Sequence, residues 1–268
     1  MSQGPLLPDL DLVRRCQAIV GGYTATRLET IAARPGNPSG AAVRRYGDAV
    51  ATRAPRFGEG LFNRAFGFTD ETLDAAAEVA DWYAQERVPG TFEIVPGLPS
   101  GALMAMLHTR GYRHTSFHAA FAGPADLPRQ PSPGVEVRRL TDETDLEAFS
   151  DVYHLGWNSP QSRFPKQPWL TTRGWSLYLG LCDGEPAGAA VLSLANGDAY
   201  LADSAVDPKW RRRGVHRALL DSRCADAAAA GAKVVFSGAD YLSVSSHNMM
   251  RKGLALLFTR AIWTAAAP

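Results

Sequence analysis

Cysteine is scarce, apolar runs are short and charge of neither sign prevails. Cys16, Cys182 and Cys224 stand far apart with no CxxC pair, and an odd count makes a poor disulfide framework. A reducing compartment is expected. No apolar run approaches the ~18 residues that a bilayer-spanning helix needs, and the start MSQGPLLPDLDLVRR lacks the basic-then-apolar order of a secretory signal. These absences lead us to expect a soluble cytoplasmic protein that does not engage a membrane. With 28 Lys and Arg against 27 Asp and Glu, the formal net charge is +1, so no global field draws the chain toward nucleic acid. The broad basic and aromatic surface of nucleic-acid binders is missing too.

What is present is length enough for two domains, 268 residues, and an uneven distribution of proline. The stretch AGPADLPRQPSPGVEV, residues 122–137, holds four prolines and two glycines and resists both helix and ladder pairing. It marks a linker at 124–133 between a first domain at 1–123 and a second at 134–268. After the linker, Val135 to Leu140 alternates as a strand, and TDETDLEAF supplies acidic capping residues before a helical pattern to about His154. Residues 156–170 hold three prolines and read as a loop with a short helix. Three apolar runs follow with turn chemistry at Asp183-Gly184 and Asn196-Gly197-Asp198, as in an antiparallel meander. A helix from Val215 to about Ala230, a buried strand KVVFSGA, a helix near Ser245 to Lys252 and a strand LLFTRAIW complete the chain. The order predicts an α/β (α+β) fold, a mixed sheet with helices on both faces.

The first half repeats this ending. A shift of 142 residues, without gaps, lays LDAAAEVADWYAQERVPG (73–90) on VHRALLDSRCADAAAAGA (215–232), TFEI on KVVF and Gly111 on Gly253. Two copies of one unit are expected. At that shift Thr69-Asp70-Glu71-Thr72 faces Arg211-Arg212-Arg213-Gly214, so the first copy offers carboxylates where the second offers guanidinium groups.

The corner DPKWRRRGVHRALL, residues 207–220, joins a strand to a helix. Such a corner leaves backbone N–H groups pointing outward at the positive end of the helix dipole, and Gly214 lets a bulky ligand approach. Arginine there is unfavourable by about 0.3 to 1 kcal/mol each unless an anion offsets it. The guest expected is phosphate or diphosphate. The alternative is a solvated basic turn.

Here the sequence resembles the GNAT N-acetyltransferase superfamily. Arg211-Arg212-Arg213-Gly214-Val215-His216 matches its diphosphate loop, with His216 in place of a small residue. The lead-in Val206-Asp207-Pro208-Lys209-Trp210-Arg211, the DGEPAG hairpin (183–188) and the closing RKGLALLFTRAIW add to the likeness. The whole looks like a tandem GNAT protein with a degenerate first copy. The resemblance implies an acyl-CoA, such as acetyl-CoA, as co-substrate, a small-molecule amine as acceptor, and no metal. It implies that amides near Arg213 to His216 hold the diphosphate and that the main chain at Ala205 and Val206 pairs with the pantetheine arm. Asn248 matches a polar position that reaches the cofactor in relatives.

The tyrosine acid of many relatives is replaced by Met249. Tyr241 and Ser245 are replacement donors, although Tyr241 could as well cover a core edge. Asp203, inside the apolar run YLADSAV, is costly to bury unless paired or shifted, and either condition suits a base. A salt bridge or cap is the alternative. His154, Trp157 and Arg163, with Phe164 and Trp169, fall where the acceptor pocket is walled in GNAT proteins, and ordinary packing is the competing reading. His108, His114 and His118 are read as structural or exposed rather than as metal ligands. A silent CoA-binding module and a thioester hydrolase or decarboxylase remain alternatives to transfer, and a homodimer stays open.

Overall fold

The computed structural model describes residues 7–57, 62–159 and 162–265. Residues 1–6 of the start that lacks a secretory signal's order, and Pro160-Gln161 of the expected loop, lie outside them. Contacts divide the chain into two units. One comprises Leu7–Ala120 together with the chain from Leu257, and the other comprises Phe121–Leu256.

The first unit begins with helix α1 (Leu10–Ala32), whose N-cap Asp9 accepts from the Leu12 N–H at 2.7 Å. Strands β1 (Ala42–Tyr46), β2 (Ala49–Arg53) and β3 (Arg64–Phe66) follow, then α2 (Leu73–Gln85), β4 (Thr91–Ile94), α3 (Gly101–Thr109) and β5 (Tyr112–Pro124). Strands β3 and β4 pair in parallel; β1 with β2 and β2 with β3 are antiparallel. Phe92 lies at the centre of the core, with Phe68, Tyr83 and Tyr112 packed edge-on against it.

The second unit contains β6 (Val135–Arg139), α4 (Leu146–Trp157), α5 (Gln167–Leu170), β7 (Trp175–Cys182), β8 (Glu185–Ala195), β9 (Asp198–Val206), α6 (Val215–Ala229), β10 (Val234–Ala239) and α7 (Val244–Lys252). Strands β6 to β9 form an antiparallel meander, and β10 joins β9 in parallel. Every residue of β7 is buried, which explains its unbroken apolar sequence WSLYLGLC. Gly188 of β8 is there because α6 lies against it. A Cβ at that position would meet Val215 Cγ1 at 2.5 Å and Leu219 Cδ1 at 2.9 Å.

The closing strand β11 (Ala255–Ala265) does not follow the serial division at 134–268. Its residues from Leu257 group with the first unit, where Ala261 to Thr264 pair antiparallel with Ile94 to Thr91 of β4. Phe121 to Pro124 of β5, in turn, group with the second unit. The sequence shift nonetheless reappears in the elements: α2 and α6 start 142 residues apart, at Leu73 and Val215.

Candidate active site

The site begins where β9 and β10 part. Their parallel pairing covers Asp198 to Tyr200 against Val234 to Phe236, and the Ser237 hydroxyl donates to the Leu201 carbonyl at 3.0 Å. No pair is formed between Ala202 to Val206 and Ser237 to Ala239 among the described residues. The two strands therefore splay toward the end where α6 begins.

An extra residue in β9 helps to bend it. Ala189 pairs with Ala205 but Val191 with Ala202, and Asp203 inside this bulge takes a left-handed φ of 44°. A non-glycine residue held there stores strain of order 1 kcal/mol. The bulge frees carbonyls from the ladder, and buried Arg223 collects them. Its Nη1 donates to Val191 O at 3.1 Å and Ala202 O at 3.0 Å, and its Nη2 to Ser204 Oγ at 2.7 Å. Nothing in the sequence reading singled out Arg223. Its signal is an arginine on the apolar stripe Val215, Leu219, Arg223 of α6.

Val206 closes β9. The Asp207 N–H donates to Ala187 O on β8 at 3.0 Å, so alternation along the strand turns the Val206 N–H the other way, into the split. Helix α4 lies directly on this end of the strand: a Cβ on Gly156 would stand 2.7 Å from both Val206 N and Ala205 Cβ.

The basic corner is ordered by its own residues. Asp207 caps Lys209 N at 3.0 Å, Arg212 adopts a φ of 66°, and Gly214 takes a φ of 83° as the N-cap of α6. Gly214 supplies no side-chain cap, so the first amides of α6 stay available; α7, by contrast, is capped by Ser243, which accepts from Ser246 N at 3.1 Å. Arg211, Arg212 and Arg213 are exposed. Arg213 is steadied by Asp183 of the β7–β8 hairpin at 2.5 Å and by the Trp210 ring at 5.6 Å. Arg217 is turned away to hold the linker through Pro131 O at 2.7 Å and Ser132 Oγ at 3.1 Å.

His216 points inward. Its Nε2 lies 3.4 Å from Ser245 Oγ and its Nδ1 3.4 Å from Asn248 Nδ2. Burial, with a smaller push from Arg223, lowers its pKa to about 4. The side chain thus lies between α6 and α7, against Ser245 and Asn248. Asn248 also accepts from Arg251 at 3.4 Å. Met249, which stands where relatives carry a tyrosine acid, is buried. Tyr241 is 52% exposed in the loop after β10.

On the α4 face of the sheet, Tyr153 Oη donates to Asp203 Oδ2 at 3.0 Å. His154 Nδ1 lies 2.7 Å from Ser162 Oγ. Trp157 and Arg163 are exposed, whereas Phe164 and Trp169 are buried and pack around Tyr153. Lys166, also overlooked in the sequence, is buried among these rings with its ammonium on Ser162 O and Phe164 O, both at 2.7 Å. The signal is the aromatic spacing of FPKQPW, a setting in which a lysine gains from ring faces. Buried Asp221 pairs with Lys252; its other oxygen accepts from Gln130 N at 3.0 Å, and Lys252 also donates to Pro128 O at 2.7 Å, which straps the linker to α6 and α7.

The first unit repeats the parallel strand pair but closes its corner. Thr69 and Thr72 form a capping box, and Asp70 Oδ1 accepts from Leu103 N at 2.9 Å. The carboxylate that replaces an arginine is spent on the start of α3. Of the three histidines read as structural or exposed, His108 and His114 are exposed; His118 is largely buried, and burial with nearby Arg260 and Arg64 lowers its pKa to about 3.

Two mixed-sheet units, each with a parallel strand pair beside a helix start, have the tandem GNAT fold. Residues 146–255 match the model of the Acetyltransferase (GNAT) family, and that segment is a domain of this family. A GCN5-related N-acetyltransferase from Kribbella flavida is similar over 94% of this chain and 97% of its own, at 18% identity and a TM-score of 0.64. A tandem GNAT protein from the clavulanic acid biosynthesis pathway is similar over 98% of both chains, at 15% identity and a TM-score of 0.60. A GCN5-related N-acetyltransferase from Sphaerobacter thermophilus is similar over 96% of this chain and 94% of its own, at 16% identity and a TM-score of 0.59. No curated protein matches the chain. Among the described residues, no helix is long and apolar enough to cross a membrane.

Proposed function

We propose that the chain is an acyl-CoA-dependent N-acyltransferase, with acetyl-CoA or another acyl-CoA as co-substrate and a small-molecule amine as acceptor. The observation that carries this reading is the junction of the β9–β10 split with the uncapped start of α6 at Gly214. In this reading the amides from Arg213 to His216 hold the diphosphate, while Arg211, Arg212 and Arg213 attract it. The main chain at Ala205 and Val206 pairs with the pantetheine arm. The Val206 N–H then polarises the thioester carbonyl as negative charge develops on its oxygen. Asn248 supports the corner through His216. On the acceptor side, His154, Trp157 and Arg163 line the approach of the amine, and Asp203 and Tyr241 are the proton-handling residues proposed from the sequence.

The test is a CoA-release assay with acetyl-CoA on the full chain, across amines, amino acids and aminoglycosides, with acetyl-CoA affinity measured by calorimetry. Release that depends on an amine is expected. Arg213→Glu is expected to weaken acetyl-CoA binding by about tenfold, equivalent to about 1.4 kcal/mol. Binding with every amine left untouched would instead identify a silent CoA module, which buried Met249 favours. Free CoA without any acceptor would identify a hydrolase or decarboxylase.

A further inference from the structure

We propose that His154 Nε2 takes the proton of the acceptor amine, in place of the Asp203 carboxylate. The inference rests on the acyltransferase reading above and adds a residue to it. His154 Nδ1 lies 2.7 Å from Ser162 Oγ, and that oxygen lies 2.6 Å from the Ser159 carbonyl. A serine hydroxyl has one proton, and a carbonyl oxygen only accepts. The Ser162 proton therefore goes to Ser159, and Ser162 Oγ meets His154 as an acceptor. His154 then carries its own proton on Nδ1 and presents Nε2 as a lone pair. Ser162 N also donates to Ser159 O at 3.0 Å, so both donors of Ser162 meet the same carbonyl. Among the described residues, Nε2 makes no hydrogen bond.

The last turn of α4, which carries His154, lies against the split strand. Tyr153, one residue before, is bonded to Asp203, and Gly156, two residues after, lies against Val206 N. Asp203, by contrast, already accepts the Tyr153 proton at 3.0 Å. Other charged groups nearby are buried Lys166, which is held on the Ser162 and Phe164 carbonyls, exposed Arg163, and Asp151 on the preceding turn of α4. In the step itself the amine nitrogen attacks the thioester carbonyl carbon, a C–N bond forms, and one N–H proton passes to Nε2. The tetrahedral intermediate collapses with cleavage of C–S, and the imidazolium returns its proton to the departing thiolate. The products are the amide and CoA, with His154 neutral again.

The experiment uses the full chain, acetyl-CoA and the best amine from the panel. Rates are followed across neutral pH for the parent, His154→Gln and Ser162→Ala, with acetyl-CoA affinity by calorimetry and the His154 tautomer by nitrogen NMR. We expect His154→Gln to lower kcat by about 10²-fold or more, with acetyl-CoA affinity unchanged, and Ser162→Ala to lower kcat less. The parent spectrum should place the proton on Nδ1. Near-parent kcat in His154→Gln, or a proton on Nε2, overturns the proposal while leaving the acyltransferase reading intact. A parent that binds no acetyl-CoA or acylates no amine overturns both, and is recognised because the parent itself is silent.

Discussion

Buried nitrogen makes this chain sensitive to acid. His216 titrates near its ordinary value once unfolded, but burial lowers its pKa to about 4 in the fold. Below the unfolded pKa of about 6.5 the unfolded chain binds a proton that the native chain refuses, so stability falls as pH drops from about 6.5 toward 4. Above that window the contribution is fully present. His216→Asn should therefore flatten the loss, by an amount on the order of 2 kcal/mol, when urea midpoints are compared at pH 7 and pH 4.5. An unchanged slope would mean that the imidazole is wetter than its position between Ser245 and Asn248 implies. At this scale the sequence conveyed the backbone role of the corner but not the side-chain partners. Arg223 and the Asp221–Lys252 pair depend on groups far away in the chain, which no local spacing encodes, whereas Lys166 is held mostly by Ser162 and Phe164 close by in sequence.

Elements were more legible. The shift that overlays α2 on α6 rests on a long apolar periodicity and on Gly111 falling on Gly253 after the next helix, and such features survive the loss of residue identity. The start of α6 was readable because Gly214 sits between a strand run and a helical run. The fate of β11 was not. Its apolar alternation announces a strand, but the choice of β4 as its partner is made by register across the fold. Helix α4 tests how closely the split must be closed on the acceptor side. A Cβ at Gly156 would meet backbone at 2.7 Å, and backbone cannot swing aside as a flexible side chain can. Gly156→Ala should lift the last turn of α4 from β9, cost about 1 to 3 kcal/mol, and lower kcat by more than the loss of folded protein explains. Full kcat in a correctly folded variant would show that the contact is only structural.

Across the whole molecule, the two corners related by the shift of 142 residues differ: one is open and one is shut. Thr69 and Thr72 cap each other and the Asp70 carboxylate accepts from α3, whereas residues 211–214 leave a helix start uncapped beneath three exposed arginines. The first unit has no arginine at this corner to attract a diphosphate, and Asp70 stands at the position of Arg212. The first copy thus keeps the shape of the unit without its anion chemistry. The most direct measurement is a crystal structure of the full chain with coenzyme A. The account predicts one CoA per chain, its diphosphate on the amides from Arg213 to His216 and its pantetheine arm in the β9–β10 split. Coenzyme A at the Thr69–Thr72 corner, or a Gly214 turn with no phosphate on it at saturating ligand, would contradict it.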